Sequence, residues 1–576
     1  MESQKLHSCF IIFVIIFSLS LKDCTAWNPF KIFKKHKTRQ PLPVQSIFKL
    51  PSPPPPWPSG QGFANGTIDL GGLLVSQISS FSKVWAALEG GPDNRGATFY
   101  EPSLIPEGFF MLGSYSQPNN RPLFGWVLVA KDVTNNASQG ALALPTNYTL
   151  VWSSESRDIK QDGVGYIWLP TPPQGYNPIG HVVTNSSERP PLDMIRCVRS
   201  DLTALIEIEG LIWRPDNGLN VYTSRPAARG SNDSSVPAGT FVVQTDGVAL
   251  SLSCLKNVRN SLSAMPNVSQ IQELVRAYSP MLYFHPDEQF LPSSVSWFFQ
   301  NGALLYTKGN ESNPVAIDPT GSNLPLNGTD DGAYWLDLPI NQTIRDSLKK
   351  GNLQNAEAYL HVKPRLGATF TDIVVWIFYP FNGAAKAKVE VFHNVRLGKI
   401  GEHVGDWEHV TLRISNFDGE LKTVYFSQHN SGTWVSSSDL EFGNGSKPIV
   451  YVSLHGHAAF PHPGLVLEGT DEVGIRNDMA KGDSVMDAGA TFSVVNAEYL
   501  GTSTIVEPSW LNYAGQWGPN VTYDIDTELT SVMELLPGDL ESEFKKILKD
   551  IPHEVLGEEG PVGPKMKDNW NGDERV

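Results

Sequence analysis

Six of the 13 histidines fall between His403 and His462, interleaved with carboxylates and glycines. The first group reads Gly401-Glu402-His403-Val404-Gly405-Asp406-Trp407-Glu408-His409. With a strand beginning near Asp406, alternation places Asp406 and Glu408 on one face and Trp407 on the other. Gly405 permits a turn that folds His403 back toward both carboxylates. An imidazole and two carboxylates within six residues make half of a divalent-cation site, and the oxygen-rich set favours Mg2+, Ca2+ or Mn2+ over zinc. The same groups could hold a water for general-base chemistry, or form a solvated strand edge with a satisfied histidine. The apolar flank of Trp407, Val410 and Leu412 argues against the edge.

A second group comes from Ser427-Gln428-His429, the run Val450 to His457, and Pro461-His462-Pro463. On a strand, Ser453, His455 and His457 share one face. Such an HxH pair can ligate a metal, act as an acid/base pair, or simply be hydrogen-bonded structure. His455 and His457 are therefore the candidate catalytic residues, and His429 and His462 the candidate ligand contacts. Tyr283 to Glu288 (YFHPDE) reads as a turn with a cap. The chain has no P-loop, HExxH, CxxC or GxSxG motif.

The elements that must position these residues are strands. Asp372–Tyr379 (DIVVWIFY), His409–Ile414 (HVTLRI) and Leu421–Ser427 (LKTVYFS) are apolar, β-branched and bounded by turn residues. They predict a β-sandwich over 263–535, entered through a helix at 268–279 whose Ile271, Leu274 and Val275 share one side. A short helix at 538–548 opens the tail, 536–576.

Upstream, residues 61–262 repeat. Gly108 and Gly113 recur as Gly175 and Gly180 within similar Pro-x-Gly-aromatic corners, and a weaker third copy runs from Val221 to Phe241. Three units that cannot bury their faces singly should pack around a pseudo-threefold axis, giving a β-prism-like module. The fold class expected is mainly β, a prism-like module followed by a sandwich.

Length and composition agree with this. A chain of 576 residues exceeds one core, and 50 glycines, 43 prolines and only 18% charged residues favour many turns over long helices. The net charge of −16 disfavours nucleic acid as a partner. Residues 1–26 read as a secretory signal peptide with an apolar Cys9–Leu21 stretch, too short to span a bilayer. Residues 27–60 read as a basic, Pro-rich linker. Cleavage would leave Cys197 and Cys254, and an oxidising compartment makes them a candidate disulfide, with two buried thiols as the alternative. Eleven sequons, from Asn65 to Asn520, fit the secretory route and an extracellular or vacuolar destination.

The segments FYPFNG (378–383), HVGDWEHV (403–410), YFSQHNSGTW (425–434) and YVSLHGHAAFPHPG (451–464) resemble the plant family named vacuolar protein sorting-associated protein 62-like. The resemblance runs from about residue 45 to the C-terminus and implies a link to trafficking, although a secretory signal departs from that family's pattern. Over about 80 residues, HxxDWE followed by SxH is also similar to the motif of necrosis- and ethylene-inducing-like proteins. That likeness implies a β-sandwich with a divalent cation held by His403, Asp406 and Glu408. Asn382 stands where that family has an acidic ligand, and His429 matches its SxH histidine. Three functions are in view: a non-enzymatic, cation-dependent protein binding a glycan or lipid head group, a metal-assisted hydrolase, and a trafficking adaptor.

Overall fold

The computed structural model describes residues 46–574 apart from 135–138, 216–217, 246–251, 327, 390–391, 430, 470–472, 501–502 and most of 521–559. The expected signal peptide, the first part of the linker and the 538–548 helix lie outside the described residues. Cores are built from strands, and just three α-helices are found among the described residues. None of them is long and apolar enough to cross a membrane.

Residues 67–256 form six small sheets in two layers of three. In one layer, sheets centred on Leu73–Ile78 with Val127–Asp132, on Cys197–Arg199 and on Cys254–Lys256 enclose Val75, Leu128, Val198, Val236 and Leu255. In the other, sheets centred on Ala97–Pro102, Tyr166–Thr171 and Leu219–Pro226 enclose Phe99, Ile167, Val221 and Phe241. The axis is visible in two places. Trp85, Trp152 and Trp213 meet pairwise with ring centroids 5.7, 5.6 and 5.4 Å apart. Gly113 and Gly180 close up on Thr240, so that a Cβ built on Gly180 would lie 2.8 Å from the Gly113 Cα.

That arrangement corrects the disulfide. Cys197 and Cys254 are free, buried thiols. They occupy corresponding strands of two different sheets around the axis, which do not pair with each other. Symmetry thus repeats the cysteine without bringing the copies together. The Cys254 thiol donates instead to the Ala204 carbonyl at 3.5 Å. Burial pushes both thiols up to about 12.

The stretch 46–60 is not a free spacer either. The Phe48 N–H donates to Leu123 O, Trp57 Nε1 donates to Asp418 O, and Pro58 O accepts from Gln270. This strap links both halves of the chain.

The second half is built on a six-stranded sheet. Its strands are β1 (Ala358–Arg365), β2 (Phe370–Asn382), β3 (His403–Ser415), β4 (Leu421–Gln428), β5 (Ser431–Ser436) and β6 (Phe492–Ala497), in the order β5-β4-β3-β2-β1-β6. One face packs on α1 (Val268–Tyr278) and on a five-stranded sheet containing Met281–Tyr283 and Lys447–Val452. Asn267 caps α1, its side chain accepting from Gln270 N, and Ile271, Leu274 and Val275 are buried as their spacing requires. The other face packs on α2 (Val295–Gln300), α3 (Gln342–Lys349), Trp510, Trp517 and Trp570.

Two outcomes follow for the first half. Gly180→Ala forces a methyl into backbone and should cost about 1–3 kcal/mol, read as a lower urea midpoint at unchanged m-value. His181 stacks on Phe241, and burial lowers its pKa to about 4. The unfolded chain therefore binds the proton first, and stability should fall with a slope of up to about 1.4 kcal/mol per pH unit as pH drops from about 6.5 toward 4. His181→Leu should remove that component in denaturation curves taken across this range.

Candidate functional site

β2 and β3 are both thirteen residues long and pair from Phe370↔Ser415 to Asn382↔His403. β3 pairs β4 over a shorter stretch, from Ile414 to Val410. Beyond Val410 the two strands part, and a cavity of about 440 Å3 opens between the start of β3 and the end of β4.

Gly405 sets the phase of the residues that begin β3. Asp406, Glu408 and Val410 alternate onto one face, and strict alternation would put Val404 there too. Val404 instead joins Trp407 in the opposite core. At Gly405 φ is +68°, and a Cβ there would meet the Trp517 carbonyl at 2.3 Å. The break shifts the phase, so His403 lines the cavity with Asp406 and Glu408. His403, Asp406 and Glu408 thus line one cavity, from within a strand rather than from a turn ahead of one.

Asn382 and His429 line the same cavity, as do Ser427, Asn477 and Glu468. Ser427 Oγ donates to Glu408 Oε2 at 3.0 Å. The Asn382 amide donates to Gly401 O at 2.6 Å and Gly383 O at 3.1 Å. His429, at φ +52°, lies 3.2 Å from Asn477 Oδ1 and 3.4 Å from Glu468 Oε1. The Asn477 side chain is buried, and its Nδ2 finds no acceptor among the described residues.

The HxH segment departs from expectation. Ser453 to His457 form a turn between two strands, with His455 at φ +70° and His457 at +54°. His455 lies outside the cavity lining; its Nδ1 is 3.0 Å from Ala384 O and its backbone N–H donates to Glu288 Oε2. His457 is sealed behind the cavity wall. Its Nδ1 lies 2.8 Å from Asp406 Oδ2 and its Nε2 3.0 Å from Phe290 O. With the carboxylate on one side and a carbonyl on the other, both ring nitrogens are placed to donate, an arrangement that favours the imidazolium. Burial opposes that charge, but Asp406 and the nearby Glu288 raise its pKa. Burial likewise opposes the Asp406 carboxylate, which the His457 hydrogen bond and His403 hold below its ordinary value. The turn at Tyr283–Glu288 is present, with Glu288 capping Gln289 and Phe290 and reaching the HxH turn. His462 is an exposed residue 4.0 Å from Glu441, away from the cavity.

The donor set does not stand as an ion cage. Among the described residues, no three His, Cys, Asp or Glu side chains are placed to share a metal. Asp406 is turned to His457, Glu408 to Ser427, and the Asn382 amide to two carbonyls.

Sequence reasoning missed one wall entirely. Met566 to Asn569 and Glu574, from the C-terminal segment, line the cavity, with Glu574 against β3. Glu574 is buried and takes hydrogen bonds from His409 Nε2 (3.1 Å), Thr411 Oγ1 (2.6 Å) and Asn569 Nδ2 (3.0 Å). Burial alone would raise its carboxyl, yet His409 and Lys363 hold it well below the usual range. No periodicity marks these residues, and the only available signal was a late Trp-Asn-Gly-Asp-Glu cluster in a polar tail.

Removing either partner of the Asp406–His457 pair leaves a buried, uncompensated group. Asp406→Asn and His457→Gln should each cost about 3–5 kcal/mol in chemical denaturation. The double variant should cost clearly less than the sum, and additive losses would show the pair to be uncoupled.

Residues 44–574 match the family model described as vacuolar protein sorting-associated protein 62, and the chain belongs to that family. It is similar to the Saccharomyces cerevisiae protein TDA6, which is named for vacuolar protein sorting, at 25% identity over 203 residues. The match takes in 31% of this chain and 40% of that relative's length. Among solved structures, GNIP1Aa from Chromobacterium piscinae shares 20% identity over 32% of this chain and 37% of that one, with a TM-score of 0.25. NLPPya in complex with glucosamine shares 14% identity over 37% and 71% of the two chains, with a TM-score of 0.19. Necrosis and Ethylene inducing Protein 2 from the causal agent of cocoa's Witches Broom disease shares 14% over 45% and 99%, with a TM-score of 0.17.

Proposed function

We propose that this member of the family is a binding protein of the secretory and vacuolar route, and that its cavity takes the polyhydroxylated head group of a glycan or glycolipid. The observation that carries the reading is the cavity's polar lining. Asp406, Glu408, Glu468, Asp478, Asp568 and Glu574 face Lys386, Arg476 and Lys567. Arg476 is already held by Asp478 through two hydrogen bonds. An acid-rich pocket with amides at Asn382, Asn477 and Asn569 suits a ligand that donates hydrogen bonds from hydroxyls and carries positive charge. Asn477 Nδ2 offers a donor for one of its oxygens.

A divalent cation, Ca2+ or Mg2+ before Mn2+, is the part of this proposal that demands rearrangement. It would sit against His403, Asp406 and Glu408, with the Glu408–Ser427 bond opened first. A hydrolase is not favoured. Both His457 nitrogens are already engaged, by Asp406 and the Phe290 carbonyl, and His455 lies outside the cavity lining. The secretory route draws support from the sequons. The asparagines of eight of the eleven are exposed: Asn65, Asn147, Asn185, Asn232, Asn310, Asn341, Asn444 and Asn520.

Glucosamine, which combines hydroxyls with an ammonium group, is the first probe. Titrated into the full chain, it should raise the melting temperature, by about 2.7 kcal/mol of stabilisation at a hundredfold excess over Kd. Glu408→Gln and Glu468→Gln should weaken that shift at least fivefold. Repeating the titration with EDTA and with added CaCl2 separates cation-dependent from direct binding. No shift for glucosamine or for neutral glucose, with or without calcium, would sink the reading.

A further inference from the structure

The polar face of β1, β2 and β3 carries a second site. Lys363 and Arg365 from β1 and Asp372 from β2 are buried there, and Arg413 from β3 is largely covered, its side chain 14% exposed. Arg413 binds Asp372 in bidentate fashion at 2.9 and 2.8 Å, and Arg365 Nε lies 3.5 Å from the same carboxylate. These three strands therefore gather three cations, two of them buried and one largely covered, against one buried carboxylate. Glu498 lies beside His361 at 3.8 Å, and Glu209 is in the field of Arg413 from the prism side. Surplus buried charge of this kind is costly unless a partner neutralises it.

The partner in place is the segment Asn569–Glu574. Asp573 Oδ1 accepts from Arg413 Nη2 at 3.1 Å, and its Oδ2 is 3.6 Å from Arg229 Nε. Glu574 is held by His409 and Thr411. The main chain is read as well. Lys363 Nζ donates to Asn569 O at 2.9 Å, Arg365 Nη2 donates to Gly572 O, and the Ser231 N–H reaches Asn571 O at 3.4 Å. Trp570 stacks on His361 at 3.9 Å and meets Trp376 at 6.4 Å. Carbonyls bound by cations, an indole in an aromatic cradle and paired carboxylates in a basic slot are the contacts by which folded domains recognise peptides.

We propose that this face is a peptide-binding slot for an acidic segment with an aromatic residue ahead of paired carboxylates, filled here in cis by Asn569–Glu574. The slot joins both halves, since Arg229 and Ser231 come from the prism-like module. It also communicates with the cavity, because Asn569 and Glu574 line both. A competing peptide of the same class that displaces the tail removes one wall of the cavity.

The test uses the full chain and a fluorescein-labelled peptide of residues 567–576 as probe. In fluorescence anisotropy, a chain carrying Trp570→Ala, Asp573→Asn and Glu574→Gln should bind the probe at least tenfold more tightly than the unaltered chain, whose slot is occupied. Adding Arg413→Gln to that variant should abolish binding. Equal affinities in the two chains, or binding by neither, overturns the proposal. Should the tail variant be unstable, excess unlabelled peptide should raise its melting temperature and leave the unaltered chain unmoved; a variant that peptide does not rescue counts equally against a slot that works in trans.

Discussion

The antiparallel pairing of β2 with β3 is the constraint on which the second half of the molecule depends. Every residue of β2 is buried, so it cannot alternate polar and apolar as a one-sided strand does. Both faces of the sheet carry cores, so a charged group on the pair needs a partner inside the protein. Asp372 finds Arg413 and Asp406 finds His457, one at each end of the pair. The cavity results from the same pairing, because β3 keeps β2 as a partner past the point where it leaves β4. A ligand site between the strands of a sheet needs such a parting, since a ladder paired along its whole length leaves no room between strands.

The strands were legible because burial on both faces writes long apolar runs, and DIVVWIFY is one. Convergence of His403, Asp406 and Glu408 was legible through Gly405, since glycine at a phase break is a local signal. The HxH segment was not. Ser-x-His-x-His has the period of a strand, and nothing in a histidine announces the left-handed backbone that His455 and His457 adopt. The threefold module was visible in its corner glycines, and Trp85 to Trp152 carries the same interval, although the tryptophan trio went unread. The disulfide failed for a related reason. Repeats place like residues at like positions, and the strands that carry Cys197 and Cys254 belong to different sheets that do not pair.

The tail was invisible for a different cause. Its partners are distant in sequence, 160 residues between Arg413 and Asp573 and 207 between Arg365 and Gly572. Pairings at that range leave no periodicity, only an unexplained buried Lys363 and Arg365 on β1. Strand alternation shows that those two share a face, and burial shows that the face is covered. What covers it follows only from charge.

The cavity and the slot are therefore consequences of one strand pair. At its open end the lining is acid-rich; farther along, its polar face is basic, and Glu574 stands at the junction of the two. Its carboxylate adds negative charge to the cavity wall while neutralising cations beneath it. A cation, an ammonium or a hydroxyl cluster entering the cavity draws on the same carboxylate that anchors the tail. Occupancy of one site must then bias the other, because a carboxylate accepting from His409, Thr411 and Asn569 has little capacity left to give a ligand without loosening one of them.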